Sequence, residues 1–111
     1  MGAMTDYAEI IKRLLRGYAA IKPSVGEVEV ELVFDDERRH YELMQCGWIG
    51  LRRVHGSVIH IDIRGDKVWI QHDGTNEQIA QRLIAEGIPQ DHIVLGFHAP
   101  YKRPLTAFAT G

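Results

Sequence analysis

A chain of 111 residues, 45% hydrophobic and 25% charged, has the balance of a soluble globular domain and lacks the bias of a disordered or membrane-embedded one. Its net charge of −2, from 13 basic against 15 acidic side chains, speaks against a surface whose main work is neutralising phosphates. Cys46 is the single cysteine, so no internal disulfide forms; no apolar run approaches the about 20 residues that span a bilayer.

The first element is expected from about Thr5 to Ala20, where Tyr7, Ile10, Ile11, Leu14 and Tyr18 recur at helical spacing as one apolar stripe. Thr5 is placed to cap unpaired amides, Asp6 and Glu9 suit the positive end of the helix dipole, and Lys12, Arg13 and Arg16 lie on the polar side. Pro23 and Gly26 end the helix. From Glu27 the period changes to two: Glu27, Glu29 and Glu31 alternate with Val28, Val30 and Leu32, which predicts a strand with one wet and one packed face. Asp35-Asp36-Glu37 supplies a turn and His40 to Cys46 returns as a strand. Gly47 and Gly50 allow bends around Trp48, and Leu51 to Val54, Ser57 to Ile63 and Lys67 to Gln71 are three further strand candidates. Between the last two, Arg64-Gly65-Asp66-Lys67 reads as a two-residue hairpin connection with positive backbone angles at Gly65 and Asp66.

Thr75-Asn76-Glu77-Gln78 has the form of a capping box, so the second helix is expected to start at Thr75, with Ile79, Leu83 and Ile84 facing the sheet. Gly87 in a left-handed conformation and Pro89 stop it. Ile93 to Phe97 reads as a short buried strand, and Pro100 and Pro104 as an extended tail anchored by Leu105 and Phe108. The expected fold is α+β: an antiparallel meander of about five strands plus a short C-terminal strand, packed against two helices in the order α-β5-α-β. It forms a single domain over residues 5–111, and Met1-Gly2-Ala3 reads as an expression remnant. A cytoplasmic location fits the lone cysteine and the lack of a leader.

The chemistry-bearing residues support no enzyme class visible in sequence. Six histidines, His40, His55, His60, His72, His92 and His98, show none of the tight spacings of common zinc sites, so no metal or other cofactor is expected. His60 with Asp62 and His72 with Asp73 are the best acid–base or ligand candidates, although strand alternation already explains His60, Asp62 and Arg64 as one polar face. Asp73-Gly74-Thr75-Asn76 lacks the lysine of a phosphate loop. Asp62 with Asp66-Lys67 has the residue types of a metal-dependent nuclease at the wrong spacing. Cys46, without a histidine partner in sequence, reads as a small core hydrophobe.

Binding surfaces are better supported. Trp69 is expected in the core, whereas Trp48, Phe97 and Tyr101, with Arg103 beside them, are candidate partner contacts, because large aromatic side chains dominate docking surfaces. Arg38–Arg39, Arg52–Arg53 and Lys102–Arg103 are basic pairs that folding would have to assemble. Of these, Arg52, Arg53 and Lys102 are the candidate nucleic-acid contacts.

The run from Lys67 to Pro104, KVWIQHDGTNEQIAQRLIAEGIPQDHIVLGFHAPYKRP, together with FDDERRHYEL at Phe34 to Leu43, Gly47–Trp48 and HIDI at His60 to Ile63, resembles the XisI-like proteins. That family is named for a factor controlling excision of the fdxN element. The likeness extends from Tyr7 to Ala109, with Asn76 standing where the family often has an acidic residue. It implies a non-enzymatic accessory protein of a DNA-element excision system, without a catalytic residue set, because a separate recombinase performs strand exchange. It further implies a complex with an XisH-like protein of restriction-endonuclease fold and a homo-oligomer, with DNA contacted only indirectly or weakly. Direct DNA binding through the arginine pairs, and a small-ligand or metal-dependent enzyme using His60, Asp62, His72 and Asp73, are the competing expectations.

Overall fold

The computed structural model describes residues 3–21, 26–75 and 78–111. The side chains of Thr5 and Asp6, Pro23, and residues 76 and 77 of the expected capping box lie outside what is described. Helix α1 (Ala3–Ala19) is followed by strands β1 (Glu27–Asp35), β2 (His40–Ile49), β3 (Arg52–Arg64) and β4 (Lys67–Asp73), then by helix α2 (Ile79–Ala85) and strand β5 (Ile93–Leu95). They build one five-stranded sheet in the order β1-β2-β3-β4-β5. The first four strands pair antiparallel and β5 pairs parallel to β4.

Alternation along the strands sorts the two faces of this sheet. Tyr41 and Leu43 of β2, Ile59, Ile61 and Ile63 of β3, and Val68 and Ile70 of β4 are buried on one face. Tyr7, Ile11, Leu14 and Leu15 of α1 and Ile79 and Leu83 of α2 complete the same cluster. Burying each of the large aliphatic side chains among these contributes about 1.5–3 kcal/mol, which makes this layer the main source of stability. At its rim, Asp36 accepts hydrogen bonds from Lys12 Nζ at 2.6 Å and from the Tyr41 hydroxyl at 2.9 Å, tying α1 to the β1–β2 turn.

The stop of α2 follows the expected chemistry. Gly87 takes φ 109°; the Ile88 amide donates to the Leu83 carbonyl at 3.1 Å and the Gly87 amide to that of Ile84 at 3.0 Å. These are the two bonds of a Schellman motif, and its accompanying apolar contact is available because Ile88 and Leu83 are both buried.

Several boundaries differ from the sequence reading. Arg52 to Val54 of the first of these candidates and Ser57 to Ile63 are parts of a single strand, β3, of 13 residues, with Leu51 in the turn before it. Pairing runs through His55 and Gly56, and the register passes from Leu43↔Ile59 to Met44↔Ser57, leaving Val58 as the extra residue of a bulge. The C-terminal strand is parallel because α2 carries the chain back along the sheet, as a crossover helix permits. Helix α2 begins at Ile79 rather than Thr75. In the β3–β4 turn only Gly65 has positive φ, at 61°; Asp66 does not. Instead of an extended tail, Pro100–Leu105 form a 3-10 helix, in which Leu105 is 84% exposed. Phe108 packs against the core as expected, and the Ala109 amide donates to the Ile93 carbonyl.

Two glycines separate packing from propensity. A Cβ on Gly47 would stand 2.0 Å from the Glu27 carbonyl oxygen and 2.7 Å from the Val28 Cα, whereas one on Gly17 meets nothing within 4 Å among the described residues. Gly47→Ala is therefore expected to destabilise the protein by about 2–3 kcal/mol, and Gly17→Ala to stabilise it by about 0.5–1 kcal/mol, in denaturant titrations. A second expectation concerns alkali. Burial first, and then the hydrogen bond to Asp36, push the Tyr41 hydroxyl up to about 12. The folded state thus favours the neutral phenol, and stability is full below the ordinary value of about 10 and declines as pH climbs from there towards 12. Tyr41→Phe should flatten that alkaline decline; an unchanged slope would count against the assignment.

Candidate functional site

The side of the sheet away from the helices carries the densest polar chemistry. Asp62 points there from the middle of β3, yet is only 3% exposed and is the buried charged residue of the described chain. A carboxylate withdrawn from water in this way requires compensating donors. His40, its direct neighbour across β2, places Nδ1 2.5 Å from Asp62 Oδ1. His60, two residues earlier on the same face, places Nε2 2.9 Å from the same oxygen. Oδ2 is held from the other side: Gln71 Nε2 donates to it at 3.4 Å and the Arg64 guanidinium lies 3.7 Å away. Gln71 gets there through a second bulge, since His60 pairs with His72 but Ile61 with Ile70, leaving Gln71 as the extra residue of β4. Behind His60, Glu42 Oε1 lies 3.9 Å from Nδ1.

The expected quartet of His60, Asp62, His72 and Asp73 is therefore divided. His60 and Asp62 meet; His72 is exposed. Asp73 instead organises the start of α2. Its Oδ1 accepts from the Thr75 amide at 2.9 Å and hydroxyl at 2.6 Å, and its Oδ2 accepts from the Ile79 amide at 2.9 Å. The acceptor at this helix start is thus the Asp73 carboxylate, while Gln78 at the N-cap makes no side-chain capping bond. His40 is the member that sequence spacing missed, because it lies 22 positions from Asp62 and only the β2–β3 register brings them together.

Trp69 is half-buried beside this cluster rather than in the core. The Arg64 and Arg103 guanidiniums lie 4.8 Å and 5.0 Å from its ring centroid, and Arg103 Nε donates to the His98 carbonyl at 3.2 Å. Arg103 is therefore engaged in holding the C-terminal segment against the sheet. Phe97 and Tyr101 of that segment are exposed. Phe97, with Phe108, Leu95, Ile70 and Asp73, also lines an open cavity of about 290 Å³ beside α2.

At the other end of β2 and β3 the sheet continues as an arm. No residue from 44 to 58 is buried, and the turn residue Leu51 is fully exposed, 100%, with Trp48 at 48%. Cys46 belongs to this arm and not to the core; the Arg53 guanidinium donates to its Sγ at 3.4 Å and lies 5.4 Å from the Trp48 ring centroid. The basic pairs are dispersed. Arg52 pairs with Ile49 at the arm tip, Lys102 and Arg103 sit in the C-terminal 3-10 helix, and Arg38 bonds to Asp35 in the β1–β2 turn. No helix among the described residues is long and apolar enough to cross a membrane.

A four-stranded antiparallel meander, crossed over by a helix to a parallel fifth strand and backed by one long helix, defines an α+β protein whose second sheet face carries no α-helix among the described residues. A scan against protein families matches the XisI protein family over residues 1–110, and the chain belongs to it. Among solved structures it is similar to a XisI-like protein from Anabaena variabilis ATCC 29413, with 43% identity, a TM-score of 0.90, and coverage of 96% of this chain and 98% of that one. It is also similar to the fdxN element excision controlling factor XisI from Anabaena variabilis ATCC 29413, with 36% identity, a TM-score of 0.85, and coverage of 99% of this chain and 100% of that one. A search of curated proteins found no match.

Removing the Asp73 carboxylate tests its assigned role. Asp73→Ala leaves the Ile79 and Thr75 amides without their acceptor and should cost about 1–2 kcal/mol, while Thr75→Ala, which keeps that acceptor, should cost less. Thermal or urea unfolding of the two variants measures this order.

Proposed function

We propose that the chain is a non-enzymatic accessory protein of a DNA-element excision system, acting by binding another protein. Membership of the XisI family and the likeness to an excision controlling factor support the role in excision control. The observation that supports protein binding is the arm. Every residue of β1 and all of residues 44–58 remain at least partly exposed, and the arm carries Trp48 and Leu51 at its end. Apolar side chains left exposed at the end of an arm that buries none of its own residues suit a partner that covers them. The partner proposed is an XisH-like protein of nuclease fold. Self-association through the same arm is the accompanying expectation. Glu27, Glu29 and Glu31 line one exposed side of edge strand β1, so a partner surface of positive charge would complement it.

The competing reading, DNA binding through the arginine pairs, gains little from the geometry. Arg52 and Arg53 start β3, whereas Arg103 lies over Trp69, whose paired residue Asp62 is near the far end of that strand. Such separation does not make one continuous track for a phosphate backbone. Lys102 lies 5.9 Å from the Tyr101 ring centroid and is exposed, as a solvated surface lysine would be.

Mixing the purified chain with an XisH-like protein of nuclease fold, at micromolar concentration, should give a stoichiometric complex by light scattering coupled to size exclusion. Trp48→Ala and Leu51→Asp should each weaken it by about tenfold or more, as expected for central apolar anchors, while leaving far-ultraviolet circular dichroism unchanged. Absence of a complex, together with salt-steep DNA binding abolished by Arg52→Glu and Arg53→Glu, would replace this reading with the DNA-binding one.

A further inference from the structure

We propose that His40, His60 and Asp62 bind one divalent transition cation of the zinc, cobalt and nickel class. Each of the three residues offers one ligand atom, these atoms all lie within 4.8 Å of one another, and no other group of three or more histidine, cysteine or acidic residues among those described does so. Bonds of about 2.0–2.2 Å from zinc to imidazole nitrogen and carboxylate oxygen put the ligand atoms of a tetrahedron about 3.4 Å apart. The two His–Asp contacts of 2.5 and 2.9 Å need only widen by small side-chain rotations to reach that separation. His40, whose side chain is half-exposed, has the room to make one.

The surroundings are arranged as an outer shell. Gln71 and Arg64 occupy Oδ2 of Asp62, so Oδ1 is the oxygen turned towards both imidazoles. Glu42, 3.9 Å from His60 Nδ1, is positioned to accept a hydrogen bond from the proton on that nitrogen when Nε2 binds the ion. A carboxylate behind a ligating histidine in this way fixes the tautomer and raises the basicity of the ligand. The exchange balances. Each imidazole nitrogen that now faces Oδ1 through a proton gives that proton to its own far nitrogen or to solvent, and offers the freed lone pair to the cation. Two nitrogens and one oxygen favour an imidazole-binding metal over calcium or magnesium, which take oxygen ligands. Three protein ligands leave a coordination position on the sheet face opposite α1 and α2, beside Arg64 and Trp69, for water or a partner's side chain. This inference stands apart from the protein-binding role of the arm.

Titrating metal-stripped protein with zinc chloride in a calorimeter should give one ion per chain. His40→Ala and His60→Ala should each weaken binding by about tenfold or more, with His72→Ala unchanged. Cobalt substitution should give a visible spectrum without a thiolate charge-transfer band. In the unmodified chain, zinc should shift the ring resonances of His40 and His60 and spare those of His72 and His98, a readout that needs no variant to fold. The proposal is overturned by an absence of binding, by affinity unchanged in both alanine variants, by shifts confined to His72 or His98, or by a sulfur-to-cobalt band that moves the ion to Cys46.

Discussion

Strand β3 imposes the constraint on which the rest of the molecule depends. Ile59, Ile61 and Ile63 point to the helices, so backbone alternation obliges His60 and Asp62 to point the other way. The apolar set has a partner layer in α1 and α2. The polar set must find its own, because Asp62 lies deep enough between β2 and β4 to lose its water. A lone buried carboxylate is strongly unfavourable, and the neighbouring strands supply the donors: His40 from β2, and Gln71 from β4 by way of a bulge. The sheet therefore has two organised centres, an oily one beneath the helices and a polar one on the bare face. Each is built by the same alternation.

Parts of this were legible in the sequence because their causes are local. The glutamate–aliphatic alternation of β1 marks its wet face directly, and Gly87 followed by Pro89 marks the end of α2, since both signals act within a few residues. The resemblance of the Lys67 to Pro104 run to XisI-like proteins was equally visible. What escaped depends on distant pairing. The bulges at Val58 and Gln71 exist only relative to a partner strand, so no period in β3 or β4 alone announces them, and they decide where Gln71 points. His40 is invisible as a partner of Asp62 for the same reason. At the start of α2, Thr75 and Asp73 are both suitable acceptors; the chain's path favours the longer carboxylate, which reaches Ile79 as well as Thr75.

The division of the molecule also bears on the accessory, protein-binding role proposed above. The helices and the buried face of the sheet form a packed base, while the ends of β2 and β3 extend past that base with no buried residue. A packed base at one end and an exposed arm at the other suit a component that presents a docking surface to a partner. The aromatic candidates divide accordingly. Trp48 belongs to the arm, whereas Phe97 and Tyr101 belong to the C-terminal segment that Arg103 helps to hold over Trp69. They are two surfaces rather than one.

The claim that a single buried carboxylate organises the bare face can be read directly from its two histidines. Long-range nitrogen–proton correlation spectra of the metal-free protein report which imidazole nitrogens carry protons. Protons resident on His40 Nδ1 and His60 Nε2, both exchanging slowly with solvent, are the predicted result. An unprotonated nitrogen at either position, or rings that average freely between tautomers, would contradict the account.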